Sequence, residues 1–401
     1  MRLDIVIPAL NEERAIESII RRCLQARPNI INQTPVDQVT VTVVSDGSTD
    51  KTLELARAFE PEIKVIAFPV NRGYGAAISE GFAANQGELV AFLDADGTCD
   101  PEFFTPLVNH LLETKADVCL GSRMGPQSEM PRIRRVGNRI WRTLINLIAR
   151  ADISDAASGM RVIRRDSLER LEPLPTGLHY TPTMSCRAVL DGTLTIVEVP
   201  MPYKERVGPS KLSVIKDGMR FLKTIVDVSL AYQPVRVLVA PGLFLLLLGA
   251  VLLAPAAWHY LTTQQVHDWY IYRVLMATAF LVMGLQVFLM GLAADRAVDL
   301  IQIRQWRGGR LLAWFRHQAT PAAFLTISLV LALIALGLNL RGLWQYLSTG
   351  HVTEHWSRAA VGLILLLAAT QLVSAAMLEW VMRLIARSFH RRRQGASPDG
   401  K

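Results

Sequence analysis

Four apolar stretches in the second half of the chain constrain its fold more than any other feature of the sequence. Each is about as long as the 20 residues that an α-helix needs to cross the hydrocarbon core of a bilayer. A helix also satisfies the backbone hydrogen bonds of a segment that is shielded from water. The sequence therefore predicts four transmembrane helices, at 237–258, 274–294, 322–340 and 359–381.

The composition agrees with a membrane protein and excludes a disordered chain. Of the 401 residues, 51% are hydrophobic and 19% are charged, whereas soluble domains have about 45–50% apolar residues even with glycine included. The net charge of +8 suits contact with anionic lipid or anionic substrates, and nucleic acid is the less favoured partner. The four cysteines lack zinc-site spacing, so neither zinc nor disulfides are expected.

Arginines between the predicted spans set the expected orientation. The connection 295–318 holds five arginines, whereas the connection after the first span has only Arg273 at its edge. Loops that stay in the cytoplasm keep positive charge. We therefore expect a multi-pass membrane protein with both termini and the N-terminal half in the cytoplasm, in the plasma membrane if the source is a prokaryote. The segment before Pro8 is too short and too charged for a signal peptide.

The first hundred residues alternate strand and helix patterns. Repeated strand–helix units predict an α/β, Rossmann-like, mostly parallel sheet, with functional loops gathered at the carboxyl ends of the strands. Interfacial amphipathic helices and an all-α domain of four transmembrane helices should follow this sheet. The expected divisions are a cytosolic α/β domain (1–209), a juxtamembrane amphipathic helix (210–234), a transmembrane domain (235–385) and a basic cytosolic tail (386–401).

Two stretches before the first span, 134–150 and 211–226, have apolar residues at helical spacing with basic residues between them. In the first stretch, one predicted helix face carries Val136, Ile140, Leu144 and Leu147. Basic amphipathic helices of this kind lie in the headgroup layer of membranes. The alternative is a pair of core-packing helices with a solvated basic face.

An acidic pair follows the buried strand pattern of residues 89–93. Asp94 and Asp96 stand two positions apart, so their carboxylates can share one hard cation such as Mg²⁺ or Mn²⁺. Such a metal would neutralise charge on a leaving diphosphate, as transfer from a nucleotide-diphosphate sugar requires. Alone this pattern is common, because acidic residues also cap helices and turns.

Two earlier strand patterns end in polar residues as well. Asn11 and Glu12 follow the first strand, and Asp46 ends the second, where it can accept a hydrogen bond from a base or ribose. Each could instead cap the next helix. Because three polar strand ends in consecutive units point to one crevice, a binding site is the favoured interpretation.

Seven motifs occur in order within roughly residues 1–230. They are IPALNEE (7–13), SDGSTD (45–50), NRGYGAAISEGF (71–82), LDADGT (93–98), GSR (121–123), DAASGMR (155–161) and RVGPSK (206–211). Together they resemble the GT-A-fold family 2 glycosyltransferases, and among them the polyprenyl-phosphate sugar synthases of the dolichyl-phosphate mannose synthase type.

The resemblance implies a nucleotide-sugar donor, a polyprenyl or dolichyl monophosphate acceptor, a bilayer and Mg²⁺ or Mn²⁺. The implied nucleotide-binding residues are Pro8, Ala9, Asn11, Glu12 and Asp46. The implied metal residues are Asp94, Asp96 and Thr98. The implied phosphate-binding residues are Arg123, Arg134, Arg135, Arg206, Ser210 and Lys211. The implied catalytic residues are Asp94, Asp96, Arg123 and Arg206.

Two departures from the family pattern leave the donor open. Ser45 stands where many members have an aspartate near the base, and Thr98 stands where some mannose synthases have a glutamine metal ligand. The donor could therefore be of the GDP-mannose or the UDP-glucose type. The expected reaction is one inverting displacement by a phosphate that is already largely dianionic, since its second pKa is about 6. Association of protomers through the spans is possible.

Two other functions remain as alternatives. A processive polysaccharide synthase would resemble a QxxRW pattern before its translocating helices, but this chain has only Gln302–Trp306, with glutamine in the arginine position. A nucleotide-sensing lipid flippase or transporter would carry ionisable residues within its spans. The predicted spans are almost free of charge, with Glu379 near the end of the last, and Gln286 and Gln371 are expected to form hydrogen bonds between helices.

Overall fold

The computed structural model describes residues 1–149, 151–204, 206, 214–263, 265–301 and 320–395. The chain divides into two units, Met1–Tyr232 and Gln233–Lys401. We call them the sheet unit and the membrane unit, after the elements they contain.

The sheet unit is built on seven strands in the order β3-β2-β1-β4-β6-β5-β7. Neighbouring strands from β3 to β4 are parallel, whereas β6 runs antiparallel to both β4 and β5. The strands are β1 (Arg2–Ala9), β2 (Gln38–Asp46), β3 (Lys64–Phe68), β4 (Leu89–Leu93), β5 (Val118–Ser122), β6 (Met160–Arg164) and β7 (Ile196–Pro200). The predicted α/β, mostly parallel sheet is confirmed.

Helices connect the strands and cover both faces of the sheet. Ile5 and Ile7 belong to one core cluster, and Val6 and Phe92 belong to another on the opposite face. Burial on both faces is the reason that the parallel strands have nearly continuous apolar sequences. The helices are α1 (Ile16–Gln33), α2 (Thr52–Arg57), α3 (Tyr74–Ala83), α4 (Phe104–Glu113), α5 (Arg132–Ala149), α6 (Arg165–Leu171), α7 (Tyr180–Asp191) and α8 (Val214–Tyr232).

Both predicted amphipathic stretches form helices, α5 and α8, within the sheet unit. They pack together through a third core cluster that contains Ile145 and Ile225. Leu144, predicted on the apolar stripe of α5, lies against this cluster. Val136, Ile140 and Leu147 of the same stripe are exposed. The stripe is thus divided between the core and the surface of the unit.

The membrane unit contains α9 (Pro234–Thr263), α10 (Ile271–Ile301), α11 (Pro321–Thr349) and α12 (Trp356–Gly395). Each provides a segment long and apolar enough to cross a bilayer, and each extends beyond its predicted bounds. The four predicted segments are confirmed as helices, and each is a candidate membrane span by its length and composition.

Small residues let α9 and α10 approach closely. A Cβ atom added at Gly284 would lie 2.7 Å from the backbone nitrogen of Leu246, and one at Gly242 would lie 2.8 Å from that of Phe288. Gln371 of α12 donates from Nε2 to the carbonyl of Val282 on α10, at 3.1 Å. This is the hydrogen bond between helices that was predicted for Gln371, whereas Gln286 is exposed on α10.

Candidate active site

The loops that follow β1, β2 and β4 meet at one edge of the sheet, because these strands are parallel neighbours. The loops after β1 and β2 are joined by side-chain to backbone hydrogen bonds. Asn11 Oδ1 accepts from the backbone nitrogen of Thr49 at 2.8 Å, and Thr52 Oγ1 accepts from that of Glu12 at 2.8 Å. Asn11 adopts a positive φ of 50°, a conformation that asparagine tolerates better than most residues. Two predicted nucleotide-binding residues therefore lie in one cross-linked pair of loops.

The other predicted nucleotide-binding residues lie on the strands themselves. Pro8 and Ala9 are buried near the end of β1. Asp46 ends β2 and accepts hydrogen bonds from two backbone nitrogens, that of Arg72 at 2.6 Å and that of Gly73 at 3.0 Å. Its carboxylate thereby holds the turn that begins α3.

Asp94 is enclosed by Tyr74 of α3 and by Gly159 of the loop before β6. The Tyr74 hydroxyl, at the start of α3, donates to Asp94 Oδ1 at 2.6 Å. The other oxygen lies against Gly159, where an added Cβ atom would come within 1.8 Å of Oδ2. Burial, and next the negative charge of Asp96, raise the pKa of Asp94 to about 7. Because β6 is antiparallel to β4, its first residues lie directly beside the end of β4.

Asp96 faces a cationic side chain. Its Oδ1 accepts from Thr98 Oγ1 at 2.7 Å, and its Oδ2 lies 3.7 Å from Nη1 of Arg206. Arg206 also forms an ion pair with Glu12. The structure therefore brings together three residues that the sequence assigned to three different motifs, and it places Thr98 behind Asp96 as a hydrogen-bond donor.

Arg123 is fixed by a buried ion pair. Its Nε and Nη2 atoms lie 2.7 and 2.9 Å from Oδ2 and Oδ1 of Asp155, a bidentate geometry. Burial disfavours ionisation of Asp155, but the charge and hydrogen bonds of Arg123 outweigh it and hold the pKa of Asp155 below its usual range. The guanidinium also lies 5.5 Å from the ring centroid of Tyr203. Arg123 is therefore a fixed cation and not a mobile surface charge.

The remaining phosphate-binding candidates are less closely connected to these groups. Arg135 donates from Nη2 to the carbonyl of Ser128 at 2.7 Å. Arg134 lies one residue earlier in the first turn of α5 and is half-buried. Ser210 and Lys211 lie outside the described residues.

Oxygen donors and charge at this edge fit a hard divalent cation. Asp94 and Asp96 present two carboxylates, and the Arg206 guanidinium beside Asp96 shows that the position accommodates positive charge. In the part of the chain that the structure describes, no three His, Cys, Asp or Glu side chains gather into a complete metal cage. Substrate phosphates and water would therefore complete the coordination of a metal held here.

The sequence pattern assigns no role to Tyr74, Asp155 or Arg161. Arg161 is fully buried in β6 and donates to the backbone carbonyls of Ala156 and Ser158, at 2.8 and 3.0 Å. Burial lowers its pKa to about 10. All three residues lie within the recognised motifs. The sequence signal that points to the loop 155–159 is Arg161 itself, an arginine among the apolar residues of strand β6.

The sheet order and the carboxylate pair after β4 define a glycosyltransferase of the GT-A fold. The chain belongs to glycosyltransferase family 2. A family model described as "Glycosyl transferase family 2" matches residues 4–172. A dolichyl-phosphate hexose transferase from Haloferax volcanii is 32% identical over 234 residues, which cover 57% of this chain and 94% of that protein.

Two further relatives match over a similar share of the chain. The hexosyltransferase Agl6 of low-salt glycan biosynthesis, also from Haloferax volcanii, is 33% identical over 63% of this chain and 59% of its own length. The undecaprenyl-phosphate 4-deoxy-4-formamido-L-arabinose transferase of Yersinia pestis is 30% identical over 62% of this chain and 73% of its own length. The chain thus spans less than two thirds of Agl6.

Among solved structures, glucosyl-3-phosphoglycerate synthase from Mycobacterium tuberculosis, in complex with Mn²⁺, UDP-glucose and phosphoglyceric acid, matches with a TM-score of 0.45. The match has 23% sequence identity and covers 57% of this chain and 79% of the other.

Proposed function

We propose that this protein transfers one hexose from a nucleotide-diphosphate sugar to a polyprenyl or dolichyl monophosphate, with inversion at the anomeric carbon. One observation carries the proposal: two carboxylates, Asp94 and Asp96, lie at the same sheet edge as the cations Arg123 and Arg206, in a chain with four candidate membrane helices. The relatives named for transfer to dolichyl phosphate and undecaprenyl phosphate support the lipid acceptor.

The acceptor phosphate needs orientation more than activation. A monophosphate with a second pKa of about 6 is largely dianionic at neutral pH, so no strong general base is required. Arg123, held by Asp155, would neutralise and orient this dianion. Because Asp155 occupies Nε and Nη2, the phosphate would approach the guanidinium from its Nη1 side.

The donor would bind along the loops after β1, β2 and β4. Glu12 and Asp46 lie at the nucleoside end of this path, and Asp94 and Asp96 would hold Mg²⁺ or Mn²⁺ at the diphosphate end. When bound, the cation supplies Lewis-acid neutralisation of the leaving diphosphate. Arg206 lies between Glu12 and Asp96, where its guanidinium would contact the donor phosphates.

The membrane unit would keep the enzyme beside its lipid acceptor. The arginine-rich connection and tail support an orientation with the sheet unit and both termini in the cytoplasm. The exposed apolar residues and basic charge of α5 support a position of the sheet unit at headgroup depth.

The test is transfer from a panel of GDP- and UDP-hexoses to a polyprenyl phosphate, by purified full-length protein with Mn²⁺ or Mg²⁺. A single-sugar phospholipid that extracts into organic solvent is the expected product, and the anomeric configuration of its sugar, determined by NMR, tests inversion. A water-soluble polymer would indicate a processive synthase. No transfer from any donor, with nucleotide binding retained, would indicate a nucleotide-sensing membrane protein.

A further inference from the structure

Helix α5 holds a nearby loop through three side chains at positions i, i+4 and i+8. Asn146 forms a reciprocal pair of hydrogen bonds with the backbone of Ile153, with Nδ2 donating to its carbonyl at 2.9 Å and Oδ1 accepting from its nitrogen at 3.0 Å. Arg142 forms an ion pair with Asp152 at 3.2 Å. Asn138 Nδ2 lies 3.5 Å from Oδ1 of Asp155. One stripe of the helix thus contacts the loop 152–155 along its length.

The same loop carries the partner of Arg123. Asp155 accepts from both the side chain and the backbone nitrogen of Arg123. On the side of the sheet, Glu198 of β7 accepts from the backbone nitrogens of Ser154 and Asp155, at 2.8 and 3.1 Å. The loop is therefore held between the sheet on one side and α5 on the other, and a shift of α5 would reach the guanidinium of Arg123 through a single residue.

A different face of α5 is apolar and exposed. Ile133, Val136, Ile140 and Leu147 are between 55% and 74% exposed. The helix contains five arginines and no acidic residue. An apolar face with basic neighbours is the composition of helices that lie in an anionic headgroup layer. This composition favours a lipid bilayer as the occupant of the face, and so does the chain path, since α8 ends at Tyr232 and a candidate membrane helix begins at Pro234.

We propose that α5 couples membrane contact to acceptor binding: insertion of its apolar face into the headgroup layer holds the loop 152–155, and through Asp155 the side chain of Arg123, in the position that receives the lipid phosphate. The proposal rests on the proposed function, because it takes Arg123 as the acceptor-binding cation. Asn146 is then a positioning residue, which acts on Arg123 through the loop.

The first test asks where the exposed face lies. The four native cysteines are buried, so a thiol-reactive bimane can be placed selectively at Leu147→Cys in the full-length protein. After reconstitution into phosphatidylcholine–phosphatidylglycerol vesicles that contain brominated phospholipid, quenching of this probe is expected. A probe at Gln25→Cys, exposed on α1, is the reference. Equal quenching at the two positions would overturn the proposal, and this result does not depend on a measurement of enzymatic turnover.

The second test separates acceptor from donor binding. Asn146→Ala removes both hydrogen bonds to Ile153, and a loss of this kind should raise the KM for polyprenyl phosphate about fivefold or more in vesicles. The KM for the nucleotide sugar should not change. Thr143→Ala is the matched control, since the Thr143 hydroxyl is exposed and donates only to the carbonyl of Arg139 in its own helix. Equal changes in both KM values would indicate a merely structural role.

A double-mutant cycle then tests the coupling itself. Ile140→Ser weakens the apolar face without contact to the loop, and it should also raise the KM for the acceptor. If both changes act through α5, the double variant with Asn146→Ala should be less impaired than the product of the single effects. Strictly multiplicative effects would refute the coupling. If the wild-type protein transfers no sugar, the proposed function fails, whereas the quenching result still reports on the position of α5.

Discussion

In the sheet unit, large apolar side chains such as Phe92 are fully buried between layers of helices, whereas in the membrane unit Leu247 and Leu329 are more than 60% exposed. The polar groups follow the opposite arrangement. The sheet unit gathers carboxylates and guanidiniums at the edge where its parallel strands end, and the membrane unit turns Gln371 and Ser328 toward the carbonyls of neighbouring helices.

Apolar and polar side chains therefore contribute differently to stability in the two units. Apolar burial stabilises the sheet unit, at about 1.5–3 kcal/mol for each fully buried large side chain. In a bilayer, lipid is as apolar as leucine, so helix association depends on close packing of small residues and on few hydrogen bonds. Substitutions of site residues in the sheet unit should therefore affect sugar transfer, whereas substitutions of glycines in the membrane unit should affect stability.

The largest expected effect is in the sheet unit. Asp96→Asn should lower the transfer rate by about two to three orders of magnitude, because one preorganised group that stabilises developing charge is lost. Thermal unfolding should not change, since Asp96 lies in a loop. Asp100→Asn is the control, because Asp100 belongs to the same loop but pairs with Arg22 at 3.2 Å. Full activity of Asp96→Asn would remove the metal-binding role.

Gly159→Ala should sharpen the assignment of Asp94. An added Cβ atom would lie 1.8 Å from Asp94 Oδ2, so the carboxylate must move, and a displacement of this size costs about 100-fold in rate. Mn²⁺ binding in the presence of a nucleoside diphosphate, measured by calorimetry, should weaken as well. Gly125→Ala provides the comparison, because among the described residues the nearest contact of its Cβ atom would be at 3.8 Å, with Pro200. Wild-type metal affinity in Gly159→Ala would show that the orientation of Asp94 is irrelevant to the site.

In the membrane unit, Gly284→Ala should reduce stability and leave turnover per folded molecule unchanged. The added Cβ atom would lie 2.7 Å from the backbone nitrogen of Leu246, and overpacking of this kind costs about 1–3 kcal/mol. The measurement is unfolding in mixed micelles of increasing SDS fraction. Gly337→Ala, where the added Cβ atom would have no atom of the described residues within 4 Å, should behave as wild type. If both variants unfold alike, the close crossing of α9 and α10 does not contribute to stability.

Gln371→Leu should have the smallest effect, a loss of about 0.6 kcal/mol, the average for a hydrogen bond between membrane helices. The same unfolding measurement checks it, with Thr370→Val as control, because the Thr370 hydroxyl donates within its own helix to Leu367. A loss of several kcal/mol would contradict the comparison between the two units, because a single hydrogen bond would then contribute more to the stability of the membrane unit than close helix packing does.

Much of the fold could be predicted because its signals are local. The apolar runs of the membrane helices, the strand–helix alternation and the basic amphipathic pattern of α5 are all properties of short windows of sequence. The antiparallel direction of β6 could not be predicted in this way, because strand direction depends on how the chain returns to the sheet. The direction of β6 matters for the candidate site, because it places Gly159 beside the carboxylate of Asp94.

The candidate site shows the same limit. Asp96, Arg123 and Arg206 could be assigned from motifs, but their partners could not. Arg206 pairs with Glu12, 194 positions away. Similarly, the apolar stripe of α5 could be recognised from its spacing, whereas the division of that stripe between the core cluster and the surface depends on the packing of α8.

The amino-acid sequence was sufficient to predict four apolar helices, an α/β sheet with polar strand ends, and basic amphipathic helices, because each of these is a repeat of side-chain character along the chain. The contacts of Tyr74 with Asp94, of Asp155 with Arg123, and of α5 with the loop 152–155 could be found only in the three-dimensional structure. Those contacts join elements distant in sequence, and their geometry depends on strand order, helix rotation and the space left by particular side chains.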